Sequence, residues 1–422
     1  MSKGRAMISH GMQIAYVVHQ YGPEHVGGTE LYTHGLARRA LRAGHDVLVL
    51  TFRETSSNRP SDFVTRRFEH EGVSVVELTH NLGVAPNVAR AEYDNEEAAA
   101  WIARQLAGWR PDVAHVTHAM KFGVGAIDAC RDCNVPVVVT LTDFWFLCPR
   151  HTLLTWDGRL CEGPTDWHEC LACVRDLHHI RGRRREARAL RSRPARMQRA
   201  LEGADRVIAL SSELVRHFAD NGYDVDAFEL VPHGLEPDLL GRRPAERQPG
   251  PTRFVFIGHL VHFKGAHVLL DALSLARGLD VELIVYGDGP EREALDQQAR
   301  ADPRVRFGGT FSPAALGSVV SQADYLLLPA LWVENEPFVV KAALQLGVPV
   351  LASRLGSLVD LVEDGVDGWT VPADDARAWA AALARADETR DNWPQTGRSQ
   401  PTMDDTYARV EQIYREVIDC RR

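Results

Sequence analysis

Apolar runs of strand length alternate with segments of helical period along almost the whole chain, and the series runs through twice. Gln13–His19 reads as a first strand and Thr29–Ala43 as the helix after it. Asp46–Phe52, Val73–Leu78, Val113–His118, Val135–Leu141 and Arg206–Leu210 continue as strands. This is the pattern of doubly wound α/β domains, in which each strand is followed by a helix that covers one face of the sheet. Phe228–Gly234 then leads into Gly241–Gly250, a polar stretch of Pro, Gly and Arg suited to a linker. Beyond it the alternation restarts, with strands expected at Phe254–Ile257, Val281–Tyr286, Val305–Phe307, Tyr325–Leu328, Pro349–Ala352 and Trp369–Val371. A second breaker-rich stretch, Arg390–Thr402, precedes a helical segment from Met403 to about Ile418. A chain of 422 residues exceeds one ordinary core. The expectation is therefore two Rossmann-like domains, 12–240 and 251–389, and a detached C-terminal helix, 403–422.

Charge narrows the function classes. The net charge of −9 gives no general attraction for nucleic acid. The start, MSKGRAMISHGMQ, has no apolar run of signal-peptide type. No apolar stretch reaches 18 residues, so no membrane-spanning helix is expected and the chain reads as cytoplasmic. Lysine occurs only at positions 3, 121, 264 and 341. A lysine inside a motif is thus less readily put down to chance.

Three loops then stand out. The first strand ends in YGPEHVGGTE, where Gly27 and Gly28 let backbone amides approach a ligand at a helix start. The second series opens with FVFIGHLVHFKGAHVLLDAL, placing Lys264 and Gly265 at another helix start. The third is LPALWVENEPFVVKAALQLGVPVLAS, with Glu334 just past a strand, where open α/β sheets bind ligands. Asn335, Glu336 and Pro337 follow, and the amides of Phe338 and Val339 lie near the next helix start. The bland readings are a helix cap for Glu334 or Glu336 and a solvated lysine at position 264.

In order and spacing, GGTE, RPDVAHVTH, VVVTLTDFWFLCPR, ADRVIALS, VPHG, GHLVHFKG, the ENEP segment and LGVPVLASRLGS resemble family 4 of the retaining, GT-B-fold glycosyltransferases. The resemblance covers nearly the whole chain. It implies two facing domains with parallel sheets, a nucleotide-sugar donor in the cleft, and a terminal helix that packs back on the N-terminal domain. It also implies residue roles. Gly27 and Gly28 would line the diphosphate side, His118 would bond the transferred sugar, Lys264 would neutralise the diphosphate, and Glu334 would hold sugar hydroxyls. Asn335, Pro337, Phe338 and Val339 would complete the donor site, with no catalytic metal. The implied reaction moves a sugar, with retention, to a hydroxyl of a glycan, lipid-linked or small-molecule acceptor. His115 is expected to face away from His118 and to be structural.

Two positions depart from the family's pattern. His259 stands where arginine is usual, and Ala342 replaces the second glutamate, which binds ribose. They keep open a non-catalytic GT-B subunit that binds a sugar nucleotide or a partner. A GT-B epimerase is disfavoured, because the ENEP segment resembles transferases.

Two features lie outside that frame. Cys148, Cys161, Cys170 and Cys173 form a C-x12-C-x8-C-x2-C pattern within a loop over 148–180. Four thiolates suit a closed tetrahedral zinc site that would stabilise a loop poor in apolar residues. An iron–sulfur cluster and metal-free thiols remain as alternatives, and His151 and His168 are substitute ligands. Cys130 and Cys133 read as packing residues. Arg181–Arg199 holds nine arginines and one glutamate. Its readings are contact with an anionic membrane surface at the inner face of the cell membrane, or a solvated face, with Pro194 expected to break or kink the helix.

Overall fold

The computed structural model describes residues 11–25, 27–56, 63–163, 166–178, 184–236, 240–241, 250–393 and 397–421. They fall into two compact units. The N-terminal unit comprises Met1–His151, Glu162–Val231 and Asp404–Arg422; the C-terminal unit comprises Thr152–Cys161 and Pro232–Met403. Most of the expected linker, residues 242–249, lies outside the described residues.

The sheet of the N-terminal unit has eight strands. They are β1 (Gln13–Val18), β2 (Asp46–Glu54), β3 (Val64–His70), β4 (Val73–His80), β5 (Val113–Val116), β6 (Val137–Leu141), β7 (Arg206–Ala209) and β8 (Phe228–Leu230). Their spatial order is β3-β4-β2-β1-β5-β6-β7-β8, with every pairing parallel except β3 with β4. Strand β3 escaped the sequence reading for a physical reason. Its residues, VTRRFEH, are exposed or half-buried, so no apolar alternation marks it. Backbone pairing holds it to β4 through a two-residue turn in which Glu71 and Gly72 both have positive φ, 48° and 82°.

Around this sheet lie α1 (Gly28–Arg42), α2 (Val88–Ala91), α3 (Glu96–Trp109), α4 (Gly125–Asp132), α5 (Cys170–His178), α6 (Arg184–Glu202) and α7 (Ser212–Asp220). Pro194 does not break α6, which continues on both sides of it. A missing amide costs one helical hydrogen bond, while Ala189, Leu190, Met197, Ala200 and Leu201 all bury themselves along the helix.

The C-terminal unit has a six-stranded, wholly parallel sheet in the order β11-β10-β9-β12-β13-β14. The strands are β9 (Thr252–Ile257), β10 (Val281–Tyr286), β11 (Val305–Gly309), β12 (Tyr325–Leu328), β13 (Val350–Ser353) and β14 (Gly368–Val371). Its helices are α8 (Ala266–Leu275), α9 (Arg292–Ala299), α10 (Leu316–Ser321), α11 (Phe338–Gln345), α12 (Leu358–Leu361) and α13 (Ala376–Thr389). Strand β9 shows why its sequence is continuously apolar. Phe254 and Phe256 enter the core on one face, with Val255 and Ile257 in the core on the other.

The last helix, α14 (Met403–Arg421), joins the N-terminal unit almost entirely. Val410, Ile413, Tyr414 and Val417 are buried. Arg39 donates to Asp404 at 2.6 Å, and Arg421 donates to both oxygens of Asp205 at 2.9 and 2.8 Å.

Candidate functional site

In both sheets the strand order reverses direction beside the first strand of the unit. Loops leave in opposite directions there, and open α/β sheets bind ligands at the carboxyl ends of the strands flanking such a point. The pairs are β1 with β5 in one unit and β9 with β12 in the other.

In the C-terminal unit, β9 leads through a short turn to Lys264, and β12 leads to Glu334. The fold brings these two together, with Lys264 Nζ 2.6 Å from Glu334 Oε1. The indole of Trp332 donates to the same oxygen at 2.8 Å, and its ring lies 4.7 Å beneath the ammonium. Glu334 is buried, and its carbonyl accepts the Ser357 hydroxyl at 2.8 Å. Lysine, indole and carboxylate thus form one charged cluster, oriented before any ligand arrives.

The turn depends on Gly265, whose φ is +75° and whose missing Cβ would sit 1.8 Å from the carbonyl oxygen of Pro329. Phe338 opens α11, with Pro337 as its N-cap. The first amide to close onto Pro337 is that of Val340, so those of Phe338 and Val339 sit ahead of the helical ladder. Asn335 is buried beside them in sequence. Glu336 is elsewhere engaged. With Lys341 it makes a buried pair at 2.6 Å, and Lys341 also donates to the His233 carbonyl. Ala342 is fully buried in the apolar core behind α11, and His259 is exposed.

In the N-terminal unit, His118 lies just past β5. Its Nδ1 accepts the Met120 amide at 3.1 Å, which leaves the ring hydrogen on Nε2 to donate to Asp143 Oδ2 at 3.0 Å. Asp143 follows β6 and accepts the Trp145 amide at 2.8 Å. Burial works to raise the Asp143 carboxyl, but the His118 ring, His151 and that amide hold it at about 2.

His19, at the end of β1, packs its ring 4.4 Å from that of His118 and its Nε2 3.4 Å from Glu30 Oε1. Burial first, and then the His118 ring, push His19 well below the usual histidine range. Its Nδ1 is buried without a hydrogen-bond partner among the described residues. Burial also raises the Glu30 carboxyl. The result is a chain of carboxylate, two imidazoles and carboxylate across the strand ends. Of its four members the sequence reading singled out only His118. The place of His19 and Asp143 beside strand ends, and of Glu30 in the first turn of α1, was the signal available.

Gly27 and Gly28 begin α1 as expected, but the helix start is occupied. A Cβ on Gly27 would lie 2.4 Å from Glu30 Oε2, so the glycine makes room for that carboxylate. His115 is wholly internal, bonded to the hydroxyls of Tyr414 and Thr140 at 2.6 Å each.

These geometries accompany a match over both units. Residues 26–239 match Glycosyltransferase Family 4, and residues 251–388 match Glycosyl transferases group 1. The chain belongs to glycosyltransferase family 4. This family 4 member is 29% identical to a D-inositol 3-phosphate glycosyltransferase of Corynebacterium diphtheriae, over 86% of its own length and 82% of the relative's. It is 34% identical to a phosphatidyl-myo-inositol mannosyltransferase of Mycolicibacterium smegmatis over 41% and 46% of the two chains. Among solved structures, HepE of Anabaena in complex with UDP and glucose matches with TM-score 0.62 at 17% identity, covering 96% of this chain and 100% of that one. Sucrose-phosphate synthase of Thermosynechococcus elongatus matches with TM-score 0.65 at 19% identity, over 97% and 100%. These likenesses establish the fold of the family 4 chain as GT-B, two parallel-sheet α/β domains.

The cysteines and arginines can now be placed. Cys148, Cys170 and Cys173 belong to the N-terminal unit, whereas Cys161 falls in the C-terminal one. None of the seven cysteines forms a disulfide. Among the described residues, two groups of three or more ligating side chains have their atoms within 4.8 Å of one another, and neither contains a cysteine. Within α6, Arg193 is buried and donates to the carbonyls of Trp145, Phe146 and Leu147. Arg196 pairs with Asp94 and Asp128. Arg188, Arg191 and Arg199 are exposed, and Arg181 and Arg183 lie outside the described residues. No described helix is long and apolar enough to cross a membrane.

Proposed function

We propose that this family 4 glycosyltransferase moves a sugar from a nucleoside diphosphate donor to an acceptor hydroxyl with retention of configuration. The observation that carries the reading is the Lys264–Glu334 pair at the strand reversal of the C-terminal unit. Lys264 turns from Glu334 to the donor's diphosphate and stabilises it as negative charge builds on the leaving group. Glu334, held by Trp332, then accepts hydrogen bonds from the sugar hydroxyls. The amides of Phe338 and Val339 face the phosphates, with Asn335 and Pro337 shaping that loop. The departing phosphate takes the acceptor's proton by a front-face route. HepE, which carries UDP and glucose on the same fold, supports the choice of donor class. The inositol-directed names of the two relatives support a polyol or lipid-linked acceptor. Neither relative favours the non-catalytic alternative.

One assignment departs from the role the resemblance implies. His118 is 4% exposed in its side chain and has both nitrogens engaged, whereas Asp143 is 23% exposed. We therefore assign His118 to holding Asp143, and Asp143 to accepting a hydrogen from the sugar.

The test is a calorimetric screen of UDP-, GDP-, ADP- and dTDP-sugars, followed by transfer assays with the anomeric configuration read by proton NMR. A retained anomer is expected. Neither transfer nor donor hydrolysis across a broad acceptor set would sink the enzyme reading.

Two peripheral assignments accompany it. We propose a structural zinc on Cys148, Cys161, Cys170 and Cys173, supported by the four-thiolate donor set. Elemental analysis should find zinc on these cysteines, with about one equivalent per chain lost in C170S/C173S. We also propose contact of Arg188, Arg191 and Arg199 with anionic lipid. Vesicle binding should weaken steeply with salt, and equal binding to neutral vesicles would reject it.

A further inference from the structure

We propose that His262, His267 and Glu291 form a binding site for a divalent cation of the zinc class on the C-terminal unit. No part of the transferase reading uses these side chains. They come from three pieces of the fold, namely the turn after β9, the first turn of α8 and the N-cap of α9, which follows β10. One ligating atom from each lies within 4.8 Å of the other two. The imidazoles are stacked with ring centres 4.3 Å apart and planes 8° apart, and His262 Nδ1 is 3.4 Å from Glu291 Oε1.

A second observation points to a ligand. The Nδ1 of His267 is buried and has no hydrogen-bond partner among the described residues. A buried ring nitrogen without a partner forgoes a hydrogen bond, and a metal ion can occupy that lone pair. Besides Glu291, the carboxylates of Asp271 and Asp374 lie near enough to the His267 ring to act on it, so the surroundings of the three side chains are acidic.

The backbone is set in advance. Gly265 makes the left-handed turn that separates the two histidines, and the Glu291 amide donates to the Leu260 carbonyl at 3.0 Å. The other described group of this kind, His34, His70 and Glu71, is filled differently. There Arg38 donates to Glu71 at 2.8 Å, and the Tyr21 hydroxyl bonds His34 Nδ1 at 2.7 Å. A guanidinium already supplies the positive charge.

Zinc bonds of about 2.0–2.2 Å place the donor atoms of a tetrahedral site about 3.3 Å apart. The exposed His262 ring closes the remaining gap by rotating off the stack. Two imidazoles and one carboxylate select zinc, cobalt or nickel over magnesium and calcium, and leave a fourth position for water. Binding fastens the turn two residues before Lys264 to α8 and α9.

The experiment uses the full chain stripped with chelator, with Co²⁺ as a spectroscopic probe and Zn²⁺ as a calorimetric one. With the cysteine site removed by C170S/C173S, the expected result is visible cobalt bands without a thiolate charge-transfer band, and a rise in Tm with zinc. His262→Ala and His267→Ala should each weaken affinity by more than the about 10–100-fold that loss of an outer partner costs. C170S/C173S should keep this site, which separates it from the cysteines. The proposal is overturned if adding H262A/H267A to the C170S/C173S protein leaves its cobalt spectrum and affinity unchanged. It is equally overturned if His34→Ala, rather than His267→Ala, abolishes the signal, or if wild-type protein gains neither bands nor Tm.

Discussion

Lysine 264 and glutamate 334 provide a quantitative test of how far the site is built before a ligand arrives. Their charged atoms are 2.6 Å apart, and the side chains are 21% and 7% exposed. At an effective dielectric constant of about 20, the Coulomb attraction at that distance is about 6 kcal/mol. Withdrawing the two ions from water offsets several kcal/mol of it, and solvent at the lysine screens more, so the coupling expected is about 1–3 kcal/mol. The cation over the Trp332 ring adds about 0.5–1 kcal/mol to the loss when the lysine is removed.

A double-mutant cycle isolates the pair. Lys264→Met strands a buried carboxylate and should destabilise by about 2–3 kcal/mol. Glu334→Gln leaves a lysine that can still reach water and should cost about 1–2 kcal/mol. The double variant should recover the coupling energy. Urea unfolding of all four proteins is the measurement, and additivity within about 0.5 kcal/mol would refute the claim of a coupled pair. The same variants separate stability from chemistry. Lys264→Met should raise the transfer barrier by roughly 2–4 kcal/mol, with a smaller change in donor affinity.

Three further outcomes follow from named contacts. Arg193→Met removes the buried donor from three carbonyls and should cost about 2–4 kcal/mol in thermal unfolding, with a loss under about 0.5 kcal/mol as the contrary result. Gly265→Ala forces a Cβ to within 1.8 Å of the Pro329 carbonyl at positive φ, and should destabilise by more than about 2 kcal/mol and weaken donor binding; wild-type behaviour in both would count against the turn's role. Burial holds His115 and His233 near 3 in the folded chain, against about 6.5 unfolded. The unfolded state therefore takes up protons that the folded state refuses. Stability should be level with respect to these groups above pH 6.5 and fall by up to about 1.4 kcal/mol per pH unit per histidine on acidification. His115→Gln should flatten that acid limb by one proton's worth, and an unaltered slope would contradict the assignment.

Much of the site was legible because its residues carry local signals. Lys264 is one of four lysines and precedes a glycine at a helix start. Glu334 follows an apolar strand, where ligand sites gather. Asp143 and His19, beside strand ends, and Glu30, in the first turn of α1, carried no comparable mark. Their significance comes from β1, β5 and β6 lying side by side. The pairing of Lys264 with Glu334 was hidden for the same reason, the two being 70 residues apart in sequence. The edge strand β3 lacked any signal, because pairing rather than burial makes it a strand.

The sequence by itself determined the doubly wound architecture, since apolar runs such as FVFI and YLLL can only be satisfied by a sheet covered on both faces. It also determined the family, through motifs spread along the chain. Only the tertiary structure decided which side chains are available. It spends Glu336 on Lys341, Arg193 on three carbonyls, and both nitrogens of His118 on Met120 and Asp143. It leaves His267 Nδ1 with no partner among the described residues. A residue type fixes what a group can bond to. Which of those bonds is already made depends on neighbours brought together by the fold, because burial removes the water that would otherwise satisfy every polar atom equally.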